Sequence, residues 1–286
     1  MSRPAVDIVV PFAGSDAALD ELLARLAPIT RRTGDSLTVV DNRRDGVDRG
    51  GEVIAAPDQQ SSYYARNRGA ERGSAPWILF IDADVDPLPD VLDRYFDPPA
   101  DDDVGLLAGG VRDAPLPADP TRAERYAVAA EQMSQTRTLR AGPWAYAQTA
   151  NAAVRRAAFE QVGGFTEGIR SGGDADLCFR LRVAGWKLDS REHAHVIHHN
   201  RASTRAFLRQ KARHGAGAAW LNKTYPGSFP ARDRRDLTRR LLRELKMSVP
   251  LLARGRAGEA ADLLFPTLSV WAFELGRFLP NKAKSR

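Results

Sequence analysis

Disulfides are the first thing this sequence lacks. One cysteine, Cys178, stands among 286 residues. No intramolecular bridge can form, so a reducing compartment is permitted. The same scarcity weighs against a thiolate zinc site, which needs several sulfur ligands together. Long apolar runs are also missing. No window offers the ~20 apolar residues that a spanning helix needs. The nearest, "LLFPTLSVWAFELGRFLP", contains Pro266, Glu274 and Arg277 and reads as a soluble or interfacial helix. The opening "MSRPAVDIVVPFAG" has too short an apolar stretch for a signal peptide. Internal repeats and low-complexity tracts are absent. So is any excess of acid: 42 Lys and Arg face 36 Asp and Glu, a net charge of +6. That balance favours acidic partners such as nucleotides, phosphates, anionic lipid or nucleic acid.

What is present suits one large α/β domain or two small ones. Hydrophobic residues make up 43% and charged residues 27%, enough apolar material for a sizeable core. "VDIVVPF" reads as a buried strand, followed by a turn at Gly14 and Ser15. Ser15 or Asp16 can cap a helix over Ala17 to Ala27, where leucines recur at helical spacing. "SLTVVDN" is a second strand ending at Asp41 and Asn42, and "GEVIAAP" a short third. Tyr63 to Arg72 reads as a helix. A fourth strand is Trp77-Ile78-Leu79-Phe80-Ile81. This alternation predicts a doubly wound, mostly parallel sheet flanked by helices. Farther on, "VGLLAGGVR" reads as a strand whose Gly109 and Gly110 mark a bulge or a close backbone approach. Thr121 to Leu139 reads as one helix. "WAYAQTANAAVRRAAFEQVGGF" gives a strand and a short helix. A further helix spans about Asp176 to Ala184, stopped by Gly185. Beyond Thr204 the chain is expected to be helical, with arginines concentrated between Arg232 and Lys246.

The fourth strand runs straight into Asp82, Asp84 and Asp86. Ligands of open α/β sheets bind outside the carboxyl ends of strands. Alternating residues on an extended chain point the same way, so Asp82 and Asp84 can face one object. Hard oxygen ligands suit Mg²⁺ or Mn²⁺, which would also neutralise a diphosphate. A solvated acidic turn is the plain alternative for so short a motif, and Asp86, just before Pro87, is kept as a turn residue.

The surroundings add weight. "IVVPFAG", "VVDN", "YYARNRGAERGSAPWILFIDADVDP", "NAAVRRAAFEQVGGF", "GGDADLCFRLRVAGW" and "AHVIHHNRAS" occur in order over roughly Val6 to Ala216. In that order they resemble family 2 of the nucleotide-sugar glycosyltransferases, which have the GT-A fold. The resemblance implies a Rossmann-like sheet with a donor-binding half over residues 1–110 and an acceptor half over 111–216. A helical, basic extension would cover 217–286. It places Phe12, Asp41, Arg66, Asp82 and Asn151 around the nucleotide sugar, with Asp41 on the base. Asp84 and Asp82 would ligate Mn²⁺ or Mg²⁺. Asn151, Ala152 and Arg155 fall in a region that lines the donor sugar or the acceptor side. The family's "GEDxDL" motif matches Gly172 to Leu177, with Gly173 where the family has Glu. Asp174 aligns with its catalytic base, and Asp176 can pair with Arg180 instead. Helix capping is the competing role for Asp174. Among the clustered histidines, His198 matches a metal-binding position. Strand alternation puts His199 on the opposite face. Trp144 and Tyr146 offer an aromatic platform for a sugar, or ordinary packing.

The expected activity is an inverting, metal-dependent transfer of a sugar from a nucleoside diphosphate donor, with a lean to uridine, to an acceptor hydroxyl. Gly173 motivates an alternative, a nucleotide-sugar binder or regulatory subunit without turnover. The basic segment raises nucleic-acid binding as a third reading, but no recognition motif supports it. The C-terminal helices would contact a membrane surface, pack internally, or form a homodimer interface. The expected location is cytoplasmic, with peripheral contact at the inner membrane face.

Overall fold

A computed structural model describes residues 3–285. Met1, Ser2 and Arg286, which the expected segments 1–110 and 217–286 include, lie outside the described residues. The chain forms two compact units. One takes in the described residues up to Ala114, then Met133–His199 and the tail from Lys282. The other takes in Pro115–Gln132 and Asn200–Asn281.

The first unit is built on a sheet. Strand β1 (Val6–Phe12) is followed by helix α1 (Asp16–Leu26), whose N-cap is Ser15. Leu19, Leu22 and Leu26 form the buried face of α1, and each buried leucine contributes roughly 1.5–3 kcal/mol. Strands β2 (Ser36–Asp41), β3 (Val53–Ala55) and β4 (Gln59–Gln60) lead to helix α2 (Ser62–Ala70). Gly69 lets α2 lie close on the sheet, because a Cβ there would run into Val9 and Val40. Strand β5 (Trp77–Ile81) is wholly buried. After it come β6 (Val85–Pro87), α3 (Val91–Tyr95) and β7 (Val104–Asp113).

The predicted helix over Thr121 to Leu139 is two helices, α4 (Arg122–Ala129) and α5 (Gln135–Leu139). Glu131, at φ 45°, turns the chain between them, and Ser134 caps the second helix. Strand β8 (Asn151–Arg155), α6 (Arg156–Gln161), α7 (Gly173–Val183) and β9 (Lys187–His198) complete the order up to the histidine cluster. The eight-stranded sheet runs β3-β2-β1-β5-β8-β7-β9-β6. Among the described residues, four of its strand pairs are parallel and three antiparallel. The antiparallel pairs all involve β8 or β6. The sheet is therefore mixed, with three parallel pairs where the first three predicted strands lie against β5 and a fourth between β7 and β9. The expected boundary at residue 110 falls inside β7, which stays continuous because it pairs with both β8 and β9.

The second unit is helical. It contains α4, α8 (Thr204–Thr224), α9 (Arg234–Ala253) and α10 (Ala257–Gly276). The expected boundary at 216 falls inside α8. Ala123, Ala127, Phe207 and Phe265 form its apolar centre. Tyr126 meets Phe207 and Phe265 edge-on. Gly215 and Gly276 let α8 and α10 approach closely, since a Cβ on either would collide with the other helix's backbone. Strand β10 (Lys284–Ser285) belongs to the first unit again. It pairs antiparallel with β4, and Lys282 bridges to Ile169. No helix among the described residues is long and apolar enough to cross a membrane.

Candidate active site

The sheet delivers its chemistry at the carboxyl ends of β1, β2 and β5. Phe12 and Asp41 are register partners there. Asp41 is fully buried. Burial pushes its carboxyl up, but hydrogen bonds from Arg43 outweigh this and hold it below the ordinary range. Arg43 donates from Nη2 at 2.6 Å and from Nε at 2.9 Å, and its guanidinium lies 5.9 Å from the Phe12 ring centre. Asp41 thus enters the site as half of an ion pair. Arg43 went unread in the sequence, although it follows the strand end by only two residues.

Arg66 projects from α2 to Asp82, just beyond β5, and forms an ion pair with it. Its guanidinium is nearly buried, lies over the Tyr63 and Phe165 rings, and has an Nε without a hydrogen-bond partner. It also acts on Asp174, in the first turn of α7. Burial raises the Asp174 carboxyl above its ordinary range and Asp82 adds to this, while Arg66 and a hydrogen bond from Thr149 pull the other way. Thr149 Oγ1 donates to Asp174 at 2.8 Å. The N-cap of α7 is Gly172, at φ 90°, so Asp174 does not cap that helix. Asp176 does what its spacing predicts, accepting from Arg180 at 2.8 Å and from Thr166 at 2.7 Å.

Asp84 and His198 meet through the pairing of β6 with β9, where Val85 opposes His198. Asp84 Oδ2 is 3.9 Å from His198 Nε2. His198 is buried, and its Nδ1 has no hydrogen-bond partner, with Asp113 Oδ1 at 3.6 Å. His199 faces the other way, with Nε2 at 2.6 Å from Asp86. Asp84 thus faces Nε2 and Asp113 the unpartnered Nδ1 of one imidazole, and carboxylate oxygens with an imidazole nitrogen are donors of the kind that fits Mn²⁺ or Mg²⁺. Among the described residues no three such side chains are drawn together at ligand spacing, and Asp82 is paired with Arg66. Asp113 was not legible in the sequence. Only the β7–β9 register places it opposite His198.

Asn151 is fully buried. It accepts from Tyr95 Oη at 2.7 Å and donates to the carbonyls of Gly110 and Ala194 at 2.9 and 2.8 Å. Its side chain ties the sheet interior together. Arg155 pairs opposite Trp77, at the start of β5, about 13 Å along the strand from the acid end. There it stacks on Trp77 and donates to Val104 O. Gly173 has a packing reason: a Cβ there would lie 2.7 Å from the Tyr63 ring. The aromatic occupies the space into which an acidic side chain would project. Trp144 packs edge-on against Phe179. Burial and nearby Asp174 push the Tyr146 hydroxyl up to about 12.

Comparison with known proteins bears on the family and the fold. The pre-mycofactocin glycosyltransferase of Mycobacterium tuberculosis is 28% identical over 230 residues, which cover 77% of this chain and 48% of that protein. Glycosyltransferase AglE of Haloferax volcanii is 34% identical over 138 residues, 48% of this chain and 44% of that one. The chain spans about half the length of these curated relatives. The mannosyltransferase PcManGT of Pyrobaculum calidifontis, solved with GDP-Man and Mn²⁺, superposes with a TM-score of 0.56 at 14% identity, over 96% of this chain and 73% of that one. Glucosyl-3-phosphoglycerate synthase of M. tuberculosis, solved with Mn²⁺ and UDP-glucose, gives a TM-score of 0.53 at 16% identity, over 77% and 78% of the two chains. These likenesses show a shared GT-A fold. Residues 77–276 match the family described as glycosyl transferase family group 2, and the chain belongs to that family.

Proposed function

We propose that this chain transfers a sugar from a nucleoside diphosphate donor to an acceptor hydroxyl, with inversion at the anomeric carbon. The observation that carries the reading is the acidic end of β5, where Asp82 pairs with Arg66 and Asp84 lies 3.9 Å from His198. Solved relatives of the same fold carry GDP-Man or UDP-glucose with Mn²⁺, which supports a nucleotide sugar as donor.

Phe12, with the Asp41–Arg43 pair, would meet the nucleoside end of the donor. Asp84 and His198, with Asp82, would hold Mn²⁺ or Mg²⁺. When bound, the cation neutralises diphosphate oxygens. Arg66 fixes Asp82 and keeps Asp174 from drifting further toward its neutral form. Asp174 takes the proton of the acceptor hydroxyl, whose oxygen attacks the anomeric carbon. The bond from that carbon to the phosphate oxygen breaks, and the diphosphate leaves with the electron pair. A base whose pKa is raised toward the working pH suits this proton transfer.

The test separates binding from turnover. A thermal-shift panel of nucleoside diphosphates and nucleotide sugars, with and without Mn²⁺, should show a metal-dependent rise in Tm. Asp84→Ala should abolish that rise. Asp174→Asn should retain it while lowering donor turnover by about 10²–10⁴-fold. Identical behaviour of the two variants would refute this division of roles.

A further inference from the structure

The second unit leaves an apolar surface uncovered. Helix α9 buries only a narrow stripe, Leu237, Glu244 and Ser248, spaced at helical repeats. A second stripe on the same helix, Leu242, Leu245, Val249 and Leu252, recurs at i, i+3, i+7 and i+10 and therefore shares one face. These four residues are 44–61% exposed. Helix α10 adds to this surface. Leu268 and Leu275 lie on one face of it, seven residues apart, and are 42% and 58% exposed. Between Asp262 and Glu274 the helix carries no charge. Just past its end, Phe278 is 66% exposed and lies under the Arg234 guanidinium at the start of α9, 4.7 Å from the ring centre. That stacking holds the start of α9 against the end of α10, two helices that pack along each other. Soluble monomers rarely expose contiguous apolar patches beyond a few hundred Å² without using them.

We propose that the α9–α10 face docks on an anionic lipid surface. Charge selects this occupant. Helix α9 carries six basic residues (Arg234, Arg235, Arg239, Arg240, Arg243, Lys246) against two acids (Asp236, Glu244), a net +4. Arg235, Arg239 and Lys246 are exposed and, by helical spacing, lie on the flank of the apolar stripe that faces away from the buried one. An apolar stripe bordered by cations is the pattern of a helix that lies in a membrane interface. Acyl chains would receive the leucines, and anionic headgroups the cations. A second copy of this chain is a poorer fit, because a symmetric contact would bring two +4 helices together. The helices are too polar to cross the bilayer, so the contact is peripheral.

The experiment is flotation of the full chain with vesicles of pure phosphatidylcholine, or of equal parts phosphatidylcholine and phosphatidylglycerol. The protein should float with the anionic vesicles and stay behind with the neutral ones, and added salt should weaken the binding. The double variant Leu245→Asp with Val249→Asp alters exposed positions, so its circular dichroism should match the wild type while flotation is lost. Arg239→Glu with Lys246→Glu should weaken binding by roughly fivefold or more per charge. Failure of the wild type to float with anionic vesicles overturns the proposal. So does flotation that neither pair of substitutions changes. A wild-type dimer in light scattering that Leu245→Asp with Val249→Asp converts to monomer would assign the face to self-association instead.

Discussion

Asp174 shows how one side chain can serve chemistry at a cost to the fold. Burial raises its carboxyl, and Arg66 with Thr149 only partly offset this. A raised folded-state value means that protonated Asp174 supports the native state. That support is complete below the unfolded carboxylate value of about 3.9 and is lost as pH rises through the folded one. Asp174→Asn removes a charge the interior resists. Its Tm relative to wild type should therefore be more favourable at pH 8 than at pH 4, and melting curves across that range would check it. A flat difference would mean that the carboxylate is not destabilised by its surroundings. Much at this scale was legible. The acids at the end of an apolar strand were visible, though a solvated turn would look the same, and Asp174 was singled out only by its match to the family's motif. The partners were harder to read. Arg43 neutralises Asp41 through a turn that no periodicity announces, and Tyr63 reaches Gly173 across more than a hundred residues.

At the scale of elements, Asn151 of β8 links helix α3 and strands β7 and β9 through Tyr95, Gly110 and Ala194. Gly109 is part of the same join, since a Cβ there would strike both the Tyr95 hydroxyl and the Asn151 amide. Tyr95→Phe would leave the buried Asn151 Oδ1 without its donor. It should cost about 1–3 kcal/mol in denaturant unfolding, with nucleotide binding intact. The close approach at Gly109 and Gly110 was readable, because adjacent glycines in a strand allow little else. The role of Asn151 was not, since a polar residue entering an apolar strand looks the same whether it faces a ligand or a carbonyl. Strand β6 also escaped notice. It is three residues long and is defined by its pairing with β9, the same pairing that joins Asp84 to His198. Long, strongly patterned segments such as β1, β5 and α1 came through with their ends nearly right. The break between α4 and α5 did not, because it rests on a left-handed Glu131 with no glycine or proline nearby.

For the whole molecule, the sheet unit is assembled from three separated stretches of sequence. Its last stretch, strand β10, fastens β4 and the loop that precedes Asp174, with Ala283 N–H donating to Gly168 O at 2.8 Å. Removing residues 282–285 should speed amide exchange at Gly168 and Ile169 and leave β1 and β5 protected, as hydrogen-exchange mass spectrometry would reveal. Equal protection with and without the tail would show that the loop holds itself. The sequence disclosed the alternating first hundred residues, the helical character beyond Thr204 and the family. It could not disclose that the chain returns to its first unit, because a two-residue strand carries no pattern of its own. That return has a consequence in time. Ribosomes deliver the amino end first, so the central strands can close while the clasp for the Asp174 loop is still untranslated. A nascent chain would hold its parallel strands paired while the loop before Asp174 still waits for its partner strand.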